Sequence, residues 1–190
     1  MIGVLAIQGD FAAHGRMLSQ LNEPWREIRN PNELNEIEGL IIPGGESTTL
    51  LNFLLTGDWM PRLSEFVANG GSIFGTCAGA ILLARDISNP EQPSLGFADV
   101  AIVRNAYGRQ IHSSVATGPS VFGGPDLEFV FIRAPRIDRT GSQSKVLAEF
   151  QGSPVLVQDG KHLLATFHPE LTNDVRVHQH FLSMVRGKAS

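Results

Sequence analysis

A chain of 190 residues, 42% hydrophobic and 18% charged, has the balance of a globular protein and the length of a single domain over 1–190, enough to bury roughly 70% of its unfolded surface. A net charge of −4 with no Lys/Arg run argues against nucleic acid as a partner, and one cysteine, Cys77, excludes an internal disulfide. No apolar run reaches the ~18 residues of a membrane span, and MIGVLAIQGD at the N-terminus lacks the basic start of a signal peptide, so the expected compartment is the cytoplasm and no membrane contact is expected.

In chain order, IGVLAIQ (2–8) reads as a buried strand and FAAHGRMLSQL (11–21) as a helix with Phe11, Met17, Leu18 and Leu21 near helical spacing. GLIIPGG (39–45) is a strand entering a turn, ESTTLLNFLL (46–55) a helix, and MPRLSEFVAN (60–69) a second helix ended by Gly70-Gly71. SIFG (72–75) is a short strand and AGAILLAR (78–85) a helix. This alternation predicts an α/β fold, a mostly parallel central sheet with helices on both faces. SNPEQPSLG (88–96) reads as a surface loop. ADVAIVRN (98–105), RQIHSSVA (109–116), LEFVFIR (127–133), KVLAEF (145–150), SPVLVQ (153–158) and KHLLATF (161–167) read as strands, with Asp159-Gly160 as a hairpin signal. A last helix opens at TND (172–174) and buries Val177, Phe181, Leu182 and Val185.

Three loops fall at the carboxyl ends of these strands, where open α/β sheets place their sites. In FGTCAGA (74–80) the cysteine stands between Gly75 and Gly79 at a strand–helix junction. A lone cysteine is often only a small buried hydrophobe. The glycine flanks, however, match a nucleophile elbow, in which a sharp turn lifts Cys77 onto a helix N-terminus that favours the thiolate. In FHPEL (167–171) Pro169 stops a strand after His168, and Glu170 follows two residues on. That loop is either a plain strand exit or a base with its orienting carboxylate. In PGGEST (43–48) the Gly44-Gly45 turn and the helix start at Glu46 are either a simple connection or a ligand and oxyanion site. The GK[ST] ending of a phosphate loop is absent.

Together, in this order, the three loops resemble the class I glutamine amidotransferases. GVLAIQGDFAAH (3–14), LNEIEGLIIPGGESTTL (34–50), FGTCAGAILLA (74–84), RNAYGRQ (104–110), FIRAP (131–135) and FHPELT (167–172) resemble in particular the glutaminase subunits of pyridoxal 5′-phosphate synthases. The match is loosest at 20–30, 86–97 and 112–127. The resemblance implies a three-layer fold and a glutaminase that cuts L-glutamine to L-glutamate and ammonia. Cys77 would be the nucleophile, His168 the proton carrier, Glu170 its orienting group, and the N–H groups of Gly45 and Ala78 the oxyanion donors. It implies glutamine contacts at Gly44, Gly45, Glu46, Arg104, Ile132 and Arg133, no cofactor and no metal. The partner it implies is a (β/α)₈ synthase subunit in a large hetero-oligomer, a lyase complex for vitamin B6 synthesis.

Two other readings compete: a Cys-His-Glu hydrolase or peptidase acting alone, and a binding module whose cysteine senses redox state. PGGEST and RNAYGRQ weigh against the first, and the lack of a resolving cysteine against the second. His14, His112, His162, His178 and His180 do not make a metal pattern and are expected in solvated or capping roles.

Overall fold

The computed structural model describes residues 1–106 and 113–188. In chain order the strands and helices are β1 (Ile2–Leu5), α1 (Phe11–Gln20), β2 (Trp25–Ile28), β3 (Gly39–Ile42), α2 (Ser47–Leu54), α3 (Trp59–Ala68), β4 (Ser72–Thr76), α4 (Ala78–Leu83), β5 (Ala84–Ser88), β6 (Ala98–Val103), β7 (Ser113–Gly118), β8 (Leu127–Ile132), β9 (Arg136–Thr140), β10 (Lys145–Phe150), β11 (Ser153–Asp159), β12 (His162–Ala165) and α5 (Arg176–Val185). Short 3₁₀ turns lie at Pro31–Glu36 and Pro169–Leu171.

One sheet of seven strands runs β10-β11-β12-β4-β3-β1-β2. From β12 to β2 every pairing is parallel, and β11 and β10 extend the sheet antiparallel. The central strands β1, β3, β4 and β12 are buried on both faces, which is why their sequences are continuous apolar runs. Their side chains still alternate between two layers. Ile2, Val4, Ile41, Phe74, Leu163 and Ala165 pack with Leu18 of α1 and with Val177, Phe181 and Leu182 of α5. Leu5, Leu40, Ile42, Ile73 and Leu164 pack with α2, α3 and α4. The result is three layers, helix–sheet–helix, with the carboxyl ends of β3, β4 and β12 side by side.

Local chemistry sets the element ends. The α3 terminus is a Schellman cap: Gly71 N–H donates to Phe66 C=O, Gly70 N–H donates to Val67 C=O, and Gly70 sits at φ +90°. Between β11 and β12, Asp159 pairs with His162, so the two turn residues are Gly160 (φ +55°) and Lys161, one step later than the Asp159-Gly160 of the sequence reading.

Several expectations are corrected. The helix expected over 78–85 ends at Leu83, because Ala84 turns to an extended conformation and begins β5. The strand expected at 109–116 runs from Ser113 to Gly118, and its positions 109–112 lie outside the described residues. The last helix starts at Arg176 rather than at 172–174; of its expected stripe Val177, Phe181 and Leu182 are buried, Val185 is only partly so, and His178 and Met184 join them. Three strands were not foreseen: β2 (WREI), β5 (ARDIS) and β9 (RIDRT). Each is short and rich in charge. β2 lies at the edge of the large sheet, and β5 and β9 at the two edges of a small sheet ordered β5-β6-β9. An edge strand needs only one buried face, so its apolar pattern is too thin to read from sequence.

Candidate active site

The backbone at Cys77 is held in a conformation that side chains avoid, φ +48° and ψ −104°, between the last residue of β4 and the first of α4. Its neighbours must be glycine. A β-carbon on Gly79 would fall 2.0 Å from the Ile42 carbonyl oxygen, and one on Gly75 would fall 2.5 Å from the Gly79 carbonyl. The turn is tied to β12 by the Cys77 N–H, which donates to Ala165 C=O at 2.8 Å. Cys77 Sγ lies 3.8 Å from the Ile132 carbonyl oxygen at the end of β8. This is the geometry of a nucleophile elbow.

His168 follows β12 and is pinned by its N–H to Val130 C=O of β8 at 2.9 Å. The 3₁₀ turn Pro169–Leu171 then folds Glu170 back, so that His168 Nδ1 donates to Glu170 Oε1 at 2.7 Å. That bond fixes the tautomer, leaving Nε2 as the ring nitrogen free to exchange a proton. Burial works against a charge on His168, but hydrogen bonding to Cys77 and to Glu170 outweighs it and raises the pKa to about 10. Burial likewise pushes the Glu170 carboxyl up, and the hydrogen bond and charge of His168 overcome that and bring it below its ordinary value.

Cys77 and His168 open onto a cavity of about 200 Å³ lined also by Gly45, Glu46, Ser47, Ile81, Arg104, Asn105, Ile132 and Arg133. Five of the six residues expected to contact glutamine therefore border one space. Gly44 does not: it lies behind, against the His168 ring. Ala78 is buried at the first position of α4, directly after Cys77. Glu46 caps α2, its carboxylate accepting from the N–H groups of Thr48 and Thr49 at 3.0 and 2.7 Å. Although Glu46 is exposed, some desolvation opposes its charge, but those bonds win and hold the pKa at about 2. The helix start read as an anion site is thus already filled by the chain's own carboxylate. Arg104 Nη2 donates to Thr48 Oγ1 at 3.0 Å and lies 3.5 Å from Glu46 Oε1. Arg133 follows β8 at φ +46°. Ser47, Ile81 and Asn105 were not anticipated as cavity residues. Their signal was sequence adjacency to Glu46, the elbow helix and Arg104. A larger cavity of about 370 Å³, bordered by Leu34, Glu38, Phe66 and Gly71, lies at the opposite end of β3 and β4 and has no nucleophile.

The expectation that the remaining histidines are solvated or capping is wrong for three of them. His14 and His178 are fully buried and His162 nearly so, stacked on Phe97. His180 is part-buried and bonds to Gln158 at 2.8 Å. His112 lies outside the described residues. Among the described residues no group of three or more His, Cys, Asp or Glu is arranged to hold a metal ion, and no helix is long and apolar enough to cross a membrane.

Fold and site together define an α/β protein with a Cys–His–Glu site at the carboxyl ends of its parallel strands. The chain belongs to the SNO glutamine amidotransferase family, whose model matches residues 4–187. It is 53% identical over 187 residues to a pyridoxal 5′-phosphate synthase subunit PdxT of Koribacter versatilis, covering 98% of this chain and 96% of the relative. A subunit of the same name from Solibacter usitatus is 48% identical, with 96% and 97% covered. A crystal structure of a glutamine amidotransferase superposes with a TM-score of 0.90 at 42% identity, covering 97% of this chain and 98% of the other. A glutamine amidotransferase from Thermotoga maritima, at 12% identity and TM-score 0.61 over 98% and 90% of the two chains, shares the fold alone.

Proposed function

We propose that Cys77, His168 and Glu170 are the catalytic residues of this chain, working as one amidotransferase domain over 1–190. The chain is a glutaminase that hydrolyses L-glutamine to L-glutamate and ammonia and supplies the ammonia to a synthase that makes pyridoxal 5′-phosphate. The proton shared between Cys77 and His168 rests on His168 Nε2, as the raised pKa of that imidazole requires, and the sulfur attacks the side-chain amide carbon. His168 returns the proton to the departing nitrogen, and ammonia leaves. His168 then takes a proton from water, whose oxygen attacks the γ-glutamyl thioester and frees glutamate and the thiol. Backbone N–H groups of Gly45 and Ala78 stabilise the oxyanion. Arg104, Arg133, Ile132, Gly45 and Glu46 hold the amino-acid end, with the guanidinium groups suited to the α-carboxylate. Gly44 keeps the turn close to His168. The observation that carries this reading is the strained Cys77 elbow sharing one cavity with a base whose Nδ1 is 2.7 Å from a buried carboxylate.

The partner is the synthase subunit, a (β/α)₈ barrel in a large hetero-oligomer that acts as a lyase. The compartment is the cytoplasm, where a nucleophilic thiol stays reduced. Docking near residues 8–10 would act on the Gly44-Gly45 turn. A β-carbon on Gly9 would fall 2.1 Å from the Gly44 carbonyl oxygen, and Gln8 Nε2 donates to Glu46 C=O at 2.7 Å, so the two segments move together. A peptide between two glycines reorients at low cost, which would let docking aim the Gly45 N–H. The test is glutamine hydrolysis by the chain alone, with the synthase, and by Cys77→Ala with the synthase. Hydrolysis that rises with the synthase and vanishes in the variant is expected. Normal turnover by a folded Cys77→Ala protein would overturn the mechanism, and equal rates with and without the synthase would remove the docking role.

A further inference from the structure

Behind Cys77, His168 and Glu170 lies a second pair of imidazoles that the chemistry above does not use. His14 of α1 and His178 of α5 are fully buried and meet with His14 Nδ1 2.9 Å from His178 Nε2. Phe74 of β4 packs in edge geometry against both rings. On its other side His14 faces the site. Its Nε2 is 3.3 Å from the Thr76 hydroxyl and 3.5 Å from Glu170 Oε2, an atom that makes no hydrogen bond of its own among the described residues, and the side chains of His14 and Glu170 are wholly inaccessible. Thr76 directly precedes the nucleophile, and Glu170 holds the base. One imidazole therefore spans the strand that presents the cysteine and the turn that presents the histidine.

Donor–acceptor complementarity assigns the direction of the chain. An ionised carboxylate only accepts, so the nitrogen facing it, His14 Nε2, carries the hydrogen. Burial keeps His14 neutral, lowering its pKa against the pull of Glu170, so its Nδ1 is then a bare acceptor. It takes the hydrogen of His178 Nε2, which leaves His178 Nδ1 without a partner. The reverse arrangement would aim a lone pair at the carboxylate. Burying two imidazoles and orphaning a ring nitrogen costs free energy that an apolar pair of similar size would avoid, so stability alone does not account for the pair.

We propose that His14 and His178 are positioning residues for the glutaminase reaction: the His14 N–H, bonded at Thr76, faces the otherwise unpartnered second oxygen of Glu170 and steadies it, and His178 fixes the His14 tautomer that does so. The proposal rests on the Cys77–His168–Glu170 assignment. With Oε1 committed to His168 and Oε2 otherwise unpartnered, the His14 N–H 3.5 Å away is the polar group that favours the ionised carboxylate and limits its rotation. Without it, Glu170 takes up a proton more readily and His168 loses its orientation. The charged and titratable groups acting on the pair are Asp10 at the start of α1, Glu170 and His168, and Thr76 and Phe74 of β4 also touch it.

The experiment uses the full chain with its synthase for glutaminase kinetics, and the full chain alone for the pH dependence of Cys77 labelling by iodoacetamide. A single cysteine makes the labelling unambiguous. In His14→Leu, kcat is expected to fall about 10- to 100-fold with KM within about twofold. The acidic limb of both profiles should rise by about one pH unit, because the second carboxylate oxygen has lost the N–H that faces it. His14→Gln, whose amide donates from nearly the same place, should restore kcat to within about threefold of the parent and return the profile. His178→Leu should show a smaller loss in the same direction. A folded His14→Leu protein with the parent's kcat and profile overturns the proposal, as does a loss that tracks lowered melting temperature and is not restored by His14→Gln. Should His14→Leu not fold, unshifted profiles in His178→Leu overturn it. Glu170→Gln separates the two levels: full activity there removes the catalytic assignment itself, whereas a crippled Glu170→Gln beside a normal His14→Leu removes only the positioning role.

Discussion

Gly44 and His168 are in contact: a β-carbon on Gly44 would lie 2.5 Å from Cε1 of the imidazole and 3.4 Å from Cβ of Cys77. The turn after β3 thus sets how closely His168 and Cys77 approach, from a position outside the cavity. Gly44→Ala should leave the fold intact, since the clash falls on one side chain. It should cut kcat about 100-fold by displacing the ring, as misplacements near 1 Å do. Steady-state kinetics beside circular dichroism would check this; an unimpaired kcat would mean the ring tolerates the shift.

The strain at Cys77 separates two inactive variants by stability. Cys77→Ala and Cys77→Gly both remove the thiol, but only glycine accepts φ +48° at ψ −104° freely. Strain at such positions is about 1–3 kcal/mol, and the extra freedom of glycine in the unfolded chain offsets about 0.5–1 kcal/mol. Cys77→Gly should therefore be the more stable by about 1 kcal/mol in denaturant melts. The opposite order would show that the turn is unstrained.

Stability should peak near neutral pH for two separate reasons. His178 has its pKa lowered to about 3 from an ordinary 6.5 by burial and by His14, against the pull of Glu170. Between these values the unfolded chain binds a proton that the folded one refuses, so stability falls as pH drops through that window. His168 is the reverse case, with burial outweighed by Cys77 and Glu170 and the pKa raised to about 10. Its contribution is complete below pH 6.5 and is lost as pH rises through about 10. Urea midpoints against pH should flatten on the acid side in His178→Leu and on the alkaline side in His168→Asn. Curves parallel to the parent's would refute the assignment.

Arg104 borders the cavity while braced by Thr48 and Glu46, which suits the proposed role of holding substrate rather than reacting with it. Arg104→Ala should raise the glutamine KM about tenfold or more with a smaller change in kcat, the mark of lost uniform binding. Arg133→Ala should act in the same direction. A collapse of kcat at constant KM would place either guanidinium in assembly of the site instead.

From sequence alone the central strands were legible, because a strand buried on both faces must be apolar throughout, as in IGVL, GLII and HLLA. So were the Cys77 elbow between its glycines and the His168-Pro169-Glu170 turn, because the geometry of each depends on neighbours one or two residues away. Tertiary structure alone decided that Glu46 fills its own helix N-terminus and that Gly44 stands behind the base rather than in the cavity. It also decided that His14 and His178, 164 residues apart, meet beneath Glu170. Nothing local marks those two. A histidine on an amphipathic helix reads as polar and exposed, and only the packing of α1 and α5 on the same face of β4 takes both rings out of water and leaves them each other and Thr76 as partners, beside a carboxylate.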